Sequence, residues 1–166
     1  MSRRRTGRPP RTTLSPRLAA VVDALPLGPS MRVLEIGCGP GAAAREVSRR
    51  VAFLLGVDRS PAAVRAFRTA GAARIAAGRL AVRCVDVEDF ALHPDEEPFD
   101  LAFAVRVGVL DGRHPGGAAL CAIGAALRPG GRLFVDGVER ALLDPLPPPS
   151  PPRTAHHAGP EARDDV

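Results

Sequence analysis

The chain contains no lysine, no tryptophan and no tyrosine. Each absence removes a class of chemistry. All 23 basic residues are arginine, so neither a Schiff-base lysine nor the lysine of a phosphate-binding P-loop is available. Aromatic residues make up 4% of the 166 positions, too few for the stacking platforms of single-stranded nucleic-acid binders. Cysteine is scarce: Cys38, Cys84 and Cys121 are widely spaced and form no C-x-x-C pair. A zinc site or a disulfide framework is therefore not expected, and no metal is assigned. No apolar run approaches the roughly 18 residues of a membrane span. The N-terminal arginines are not followed by the apolar stretch of a secretory signal. The expectation is a cytoplasmic protein without membrane contact.

What remains is ordinary for a globular domain, with 45% hydrophobic and 25% charged residues and enough chain for one core. The net charge is +5, but Arg3, Arg4, Arg5, Arg8, Arg11 and Arg17 all precede the first acid, Asp23. The rest of the chain is close to neutral, so the basic character belongs to a tail and not to a groove. Nucleic acid is accordingly not the expected partner. Residues 1–13 are rich in Arg, Pro and Thr and read as a disordered tail. Residues 144–166 are Pro-rich without apolar periodicity and read the same way. The folded domain is expected over residues 14–143.

Within it, Ser15-Pro16 has the pattern of an N-cap followed by proline at the first helical position, opening a short helix through Ala24. Strands are predicted at Met31–Ile36, Val51–Asp58, Leu80–Val85, Phe99–Val105 and Arg132–Asp136. Helices are predicted at Ala42–Arg50, from Ser60-Pro61 to Ala77, and between Pro115 and Leu127. Arg128-Pro-Gly-Gly131 reads as a sharp turn. Strands alternating with helices over short links predict an α/β fold, a doubly wound, Rossmann-like, mainly parallel sheet of five strands. The near-continuous apolar run Val51–Asp58 suits a sheet covered on both faces.

The chemistry concentrates in V-L-E-I-G-C-G-P-G, Val33 to Gly41. Glycines there let a ligand approach backbone where a Cβ would collide, at the carboxyl end of a strand where such sheets bind ligands. Glu35 discriminates between ligands. Its carboxylate would repel a pyrophosphate and attract the ammonium of a zwitterion. The alternating Gly37, Gly39, Gly41 spacing also fits the dinucleotide fingerprint poorly, since that pattern closes only through Ala42. Asp58, at the end of the second strand, can accept from the two hydroxyls of a ribose. Asp86, at the end of the third, can reach an exocyclic adenine amine.

On these residues the sequence resembles the class I S-adenosylmethionine-dependent methyltransferases. Five segments match in order: Val33–Gly41, Gly56–Val64, Cys84–Phe90, Phe99–Val105 and Ala126–Asp136. The resemblance implies S-adenosyl-L-methionine as cofactor. Glu35 would meet the methionine amino group, and Gly37, Cys38, Gly39 and Gly41 would line the methionine end. Asp58 and its neighbour Arg59 would lie at the ribose, Asp86 and Val87 at the adenine, and Ala104 near the sulfonium.

The same family ordinarily adds two strands after the fifth, and this chain turns Pro-rich instead. The fifth strand is therefore expected to be a bare edge, open to a partner. Asp111 and His114, in V-L-D-G-R-H-P, are the candidates for a catalytic base. No Asn/Asp-Pro-Pro-Tyr motif follows the fourth strand, which favours a small-molecule acceptor. Two other readings stand beside methyl transfer: a non-catalytic cofactor-binding domain, and an NAD-binding oxidoreductase. The latter would have to work without the Tyr or Lys such enzymes use.

Overall fold

In the computed structural model, which describes residues 14–110 and 116–142, the elements run α1 (Pro16–Ala24), β1 (Arg32–Ile36), α2 (Ala42–Val47), β2 (Phe53–Asp58), α3 (Pro61–Ala76), β3 (Leu80–Cys84), β4 (Phe99–Ala104), α4 (Gly117–Ala126), β5 (Leu127–Val135) and β6 (Val138–Arg140). Single 3₁₀ turns occupy Val87–Asp89 and Gly108–Leu110. Both Ser-Pro signals open helices. The Ser15 hydroxyl accepts from the Leu18 amide at 3.4 Å and that of Ser60 from the Ala63 amide at 3.3 Å, each satisfying one of the free donors of a first turn. No helix among the described residues is long and apolar enough to cross a membrane.

The six strands lie in the order β3-β2-β1-β4-β5-β6, all parallel except β6. The strand order reverses between β1 and β4, placing a crevice above their carboxyl ends. Alternation along the strands divides the core into two layers. Leu34, Ile36, Leu55, Val57, Ala102, Ala104, Leu133 and Val135 pack under α4 and the two 3₁₀ turns. Val33, Leu54, Leu101, Phe103 and Phe134 pack under residues of α1, α2 and α3, among them Val22, Val47 and Phe67. Phe67, Phe99 and Phe103 are fully buried, and removing such side chains from water stabilises a domain by about 1.5–3 kcal/mol each.

Beyond shifts of one or two residues at the ends of β1 to β4 and at the helix ends, three boundaries differ from the sequence expectation. The helix predicted to Arg50 ends at Val47, because the amides of Arg49 and Arg50 reach back only three residues, to Glu46 and Val47. The Arg128–Gly131 turn lies inside β5 as a bulge: Leu127 pairs with Phe99, and pairing resumes at Leu101 with Arg132. The third concerns the edge. The sheet has six strands and not five, since Asp136 (φ 50°) and Gly137 (φ 84°) make a two-residue hairpin turn, and Val135, Phe134 and Leu133 pair with Val138, Glu139 and Arg140. Positive φ at both central residues is the turn geometry that matches strand twist. The bare fifth edge is thus corrected: β6 covers its last three residues, and Arg132 and Glu139 pair across the hairpin at 2.7 and 2.8 Å.

Candidate functional site

The loop after β1 is held from two sides. The Cys38 amide donates to the Val57 carbonyl at 3.1 Å, tying the loop to β2. The Gly39 amide donates to Asp58 Oδ2 at 2.8 Å, and the Ser60 amide to Asp58 Oδ1 at 2.8 Å. Asp58 therefore shapes the glycine loop and the start of α3 together. A carboxylate offers about four lone-pair sites, so acceptor capacity remains on both oxygens. Two glycines are fixed by close approach as well as by backbone. Gly37 has φ 65°, and a Cβ there would stand 2.6 Å from Val107 Cγ2. Gly41 has φ 79°, and a Cβ there would run into the Phe67 ring. Gly41 is buried and borders no cleft. The structure places it where α2 packs on Phe67 of α3.

Glu35 faces the same side of β1 as Val33, opposite Leu34 and Ile36. Its register partners are Gly56 on β2 and Phe103 on β4. The residue is 4% exposed, and its Oε2 has no hydrogen-bond partner among the described residues. Burial pushes its carboxyl up from 4.5 to about 8; the Ala44 amide opposes this, the Asp58 charge adds to it, and Arg45 opposes it weakly. The Cys38 thiol, packed against Gly56, is raised too, by burial first and by Glu35 and Asp58 next. A buried polar oxygen without a partner is costly. Here it borders a cleft, so a cationic ligand group entering that cleft would satisfy it.

Two clefts meet at Gly37 and Arg106. The larger, about 420 Å³, lies above the ends of β1, β2 and β3 and is bordered by Asp58, Arg59, Asp86 and Val87 on one wall and Arg106 to Val109 on the other. Asp86 caps the 3₁₀ turn below it, accepting from the Glu88 amide at 3.2 Å. The smaller, about 240 Å³, lies between α1, the glycine loop and the segment after β4. It is bordered by Glu35, Cys38, Gly39 and Val105, with Ser15, Arg17 and Leu18 from the α1 side.

Glu35, Gly37, Cys38, Gly39, Asp58, Arg59, Asp86 and Val87 are thus brought together. Ala104 is not among them: it is fully buried under α4, and its carbonyl accepts from the Asp136 amide at 2.9 Å. The strand places Ala104 on the core face, and the chain leaving the sheet turns Val105 and Arg106 towards the clefts. Asp111 and His114 lie outside the described residues, as do the two expected tails. Arg106, Val107 and the α1 residues join the site without a signal in the sequence. Arg106 carries φ 56°, a left-handed conformation that no local residue pattern announces.

A family model described as a methyltransferase domain matches residues 33–131, well over half the chain. A protein-L-isoaspartate O-methyltransferase of Methylorubrum populi is 36% identical over 118 residues, covering 71% of this chain and 50% of its own. A ubiquinone biosynthesis O-methyltransferase of Xylella fastidiosa is 30% identical over 127 residues, covering 76% and 49%. The chain spans about half the length of these curated relatives. Among solved structures, an S-adenosylmethionine-dependent methyltransferase from Mesorhizobium loti superposes with a TM-score of 0.56 at 25% identity, covering 70% of this chain and 51% of that one.

Proposed function

The chain belongs to the class I S-adenosylmethionine-dependent methyltransferase family, and from that premise we propose that it binds S-adenosyl-L-methionine and directs its methyl group to a small-molecule acceptor. The observation that carries the reading is the pair of carboxylates bracketing the glycine loop. Glu35 is buried with an unsatisfied oxygen at one end, and Asp58 has spare acceptor capacity at the other.

The residues present fit this cofactor. Glu35 would accept from the amino group of its methionine end, where a pyrophosphate would be repelled; that contact disfavours the dinucleotide reading. Gly39, with φ 52° and open space where a Cβ would point, leaves room for the ligand against the loop. Asp58 would hold ribose hydroxyls, with Arg59 beside it. Asp86 and the backbone at Val87 would meet the adenine. The cofactor supplies a methyl group on a sulfonium whose leaving group is neutral. The protein's part is positioning, which is worth up to roughly 7–11 kcal/mol when reacting groups are aligned.

Calorimetric titration with S-adenosylmethionine, S-adenosylhomocysteine and NAD tests the binding. Release of S-adenosylhomocysteine in the presence of candidate acceptors tests the transfer. Micromolar binding of NAD with none of the two sulfur ligands would overturn the proposal. Binding without transfer to any acceptor would leave a cofactor-binding domain and remove the catalytic half of the reading.

A further inference from the structure

Three arginines gather at the amino ends of β2 and β3, the opposite end of the sheet from the two clefts. One turn builds the cluster. α3 stops at Ala76, and Gly78, with φ 69°, folds the chain back. The Gly78 amide then donates to the Ile75 carbonyl and the Arg79 amide to the Arg74 carbonyl, both at 3.0 Å. This is the paired closure of a glycine-ended helix, and it sets Arg79 beside Arg74. Both side chains reach the link between α2 and β2. Arg74 Nη1 donates to the Ser48 carbonyl at 3.4 Å and Arg79 Nη2 to the Val51 carbonyl at 2.6 Å. Arg49 is exposed on the same link.

A guanidinium carries about five N–H donors, and among the described residues the side chains of Arg74 and Arg79 use one each. Opposite charge is sparse around them. Glu46 pairs with Arg49 and Arg50 at 3.3 Å, and Asp23 pairs with Arg50 at 2.9 Å. The carboxyl ends of α2 and α3 add roughly half a negative charge each. Burial first, and then the charges of Arg49 and Arg79, lower the pKa of Arg74 from its ordinary value, with Glu46 opposing. Arg74 therefore stands close enough to both arginines to be repelled. The chain around them gives no relief: from Arg59 to Arg83 it holds six arginines and no acid. The near-neutral total is reached only because Asp86 to Asp100 holds seven acids and no arginine.

We propose that Arg49, Arg74 and Arg79 form a binding site for a compact phosphoryl anion, the phosphate monoester or pyrophosphate end of a small molecule. An oxyanion of two or more charges relieves the repulsion among the three and takes the donors that the carbonyls leave over. A carboxylate, with a single charge, matches three cations poorly. A polynucleotide spreads single charges along its backbone, whereas these arginines converge on one short link. The site lies apart from both clefts and stands whether or not they hold S-adenosylmethionine.

Calorimetric titration of the full chain with pyrophosphate, phosphate and acetate at equal ionic strength tests the site. Pyrophosphate should bind tightest and acetate weakest, with about tenfold or more between them. Arg49→Gln and Arg74→Gln should each weaken pyrophosphate about tenfold, the scale of a charge-assisted contact. The N-terminal arginines attract anions as well, so a control removes charge elsewhere. Arg65→Gln combined with Arg68→Gln, both exposed on α3, should change the affinity by no more than about twofold, because matched salt screens distant charge. The Arg49 side chain bonds only Glu46 among the described residues, so its variant serves even where Arg74→Gln loosens the fold, which urea unfolding reports. Equal losses in the control and in the site variants would mark a diffuse basic surface and overturn the proposal. Unchanged affinity in both site variants, or no heat from pyrophosphate at millimolar concentration, overturns it too. So does competition by saturating S-adenosylhomocysteine, which would put the anion in the clefts. A short DNA duplex should lose less affinity than pyrophosphate in Arg49→Gln; a larger loss would assign the arginines to a nucleic-acid backbone and overturn the proposal.

Discussion

Replacing Glu35 by glutamine should move stability and binding in opposite directions, and pH should govern both. In the unliganded protein the Glu35 carboxyl stays protonated up to about pH 8, against 4.5 for the free group, with burial the main cause. The folded state then holds a proton that the unfolded chain has released. Stability from this group is complete below about pH 4.5 and is lost as pH rises to about 8. Within that window the loss approaches about 1.4 kcal/mol per pH unit. The ceiling over the whole window is about 5 kcal/mol, and relaxation with water entry brings the expected loss to about 2–4 kcal/mol. The substituted amide does not titrate. The stability difference between the two proteins should therefore shift steadily in favour of the Glu35→Gln variant from pH 5 to pH 8. Urea unfolding followed by far-ultraviolet circular dichroism measures it, since the chain has no tryptophan to report by fluorescence. Titrations of groups that do not interact with Glu35 cancel in the difference.

Binding runs the other way. An ammonium group entering the cleft requires Glu35 ionised, so near pH 7 the wild type should expel close to one proton as S-adenosylhomocysteine binds. Its affinity should rise towards tenfold per pH unit up to about pH 8. Calorimetry in two buffers of different ionisation enthalpy counts the proton. The Glu35→Gln variant should bind weakly and release none. A stability difference that stays flat from pH 5 to pH 8, together with buffer-independent heats in the wild type, would refute the account of Glu35.

Three further outcomes test other parts of the structure. Asp58→Ala should weaken S-adenosylhomocysteine binding by at least about 1.5 kcal/mol, and because Asp58 also holds the Gly39 and Ser60 amides, Asp58→Asn should retain part of the affinity; unchanged affinity in the Ala variant would show that β2 does not end at the ligand. Gly41→Ala should destabilise the fold by about 2–4 kcal/mol in urea titration, from a left-handed backbone and a collision with Phe67, whereas a loss under about 0.5 kcal/mol would contradict that packing. Cys84, exposed, should react readily with a thiol reagent in the native protein, while Cys38, buried with its thiol pushed up by burial, should react only on unfolding.

What the sequence made legible was local in origin. The Ser-Pro pairs announce helix starts because capping and a fixed proline φ act within one turn. The apolar run of β2 marks a strand covered on both faces. Glu35 could be placed because a period of two puts it on one face with Val33 and next to the loop. Its burial and unsatisfied oxygen depend on what lies across from it, Gly56 and Phe103 on the flanking strands. The β5–β6 hairpin escapes a sequence reading although Asp136-Gly137 is a strong turn signal. A strand of three exposed residues carries too little alternation to be recognised, and a proline run follows close behind it.

Arg106 was illegible for a different reason. Nothing in A-V-R-V-G encodes a left-handed arginine; the cause is Asp136, thirty residues away. The residue that ended the matched segments in the sequence therefore reappears in the structure as a tie between the sheet edge and the cleft. This explains why a short β6 matters to the site. Its hairpin sets the conformation of Asp136, Asp136 fixes the amide of Arg106, and Arg106 borders both clefts. If the hairpin were dispensable, cutting the chain after Val135 would leave the two clefts unaltered. The hydrogen bonds through Asp136 imply instead that such a cut frees Arg106 to return to ordinary backbone and reshapes the wall that this residue gives both clefts.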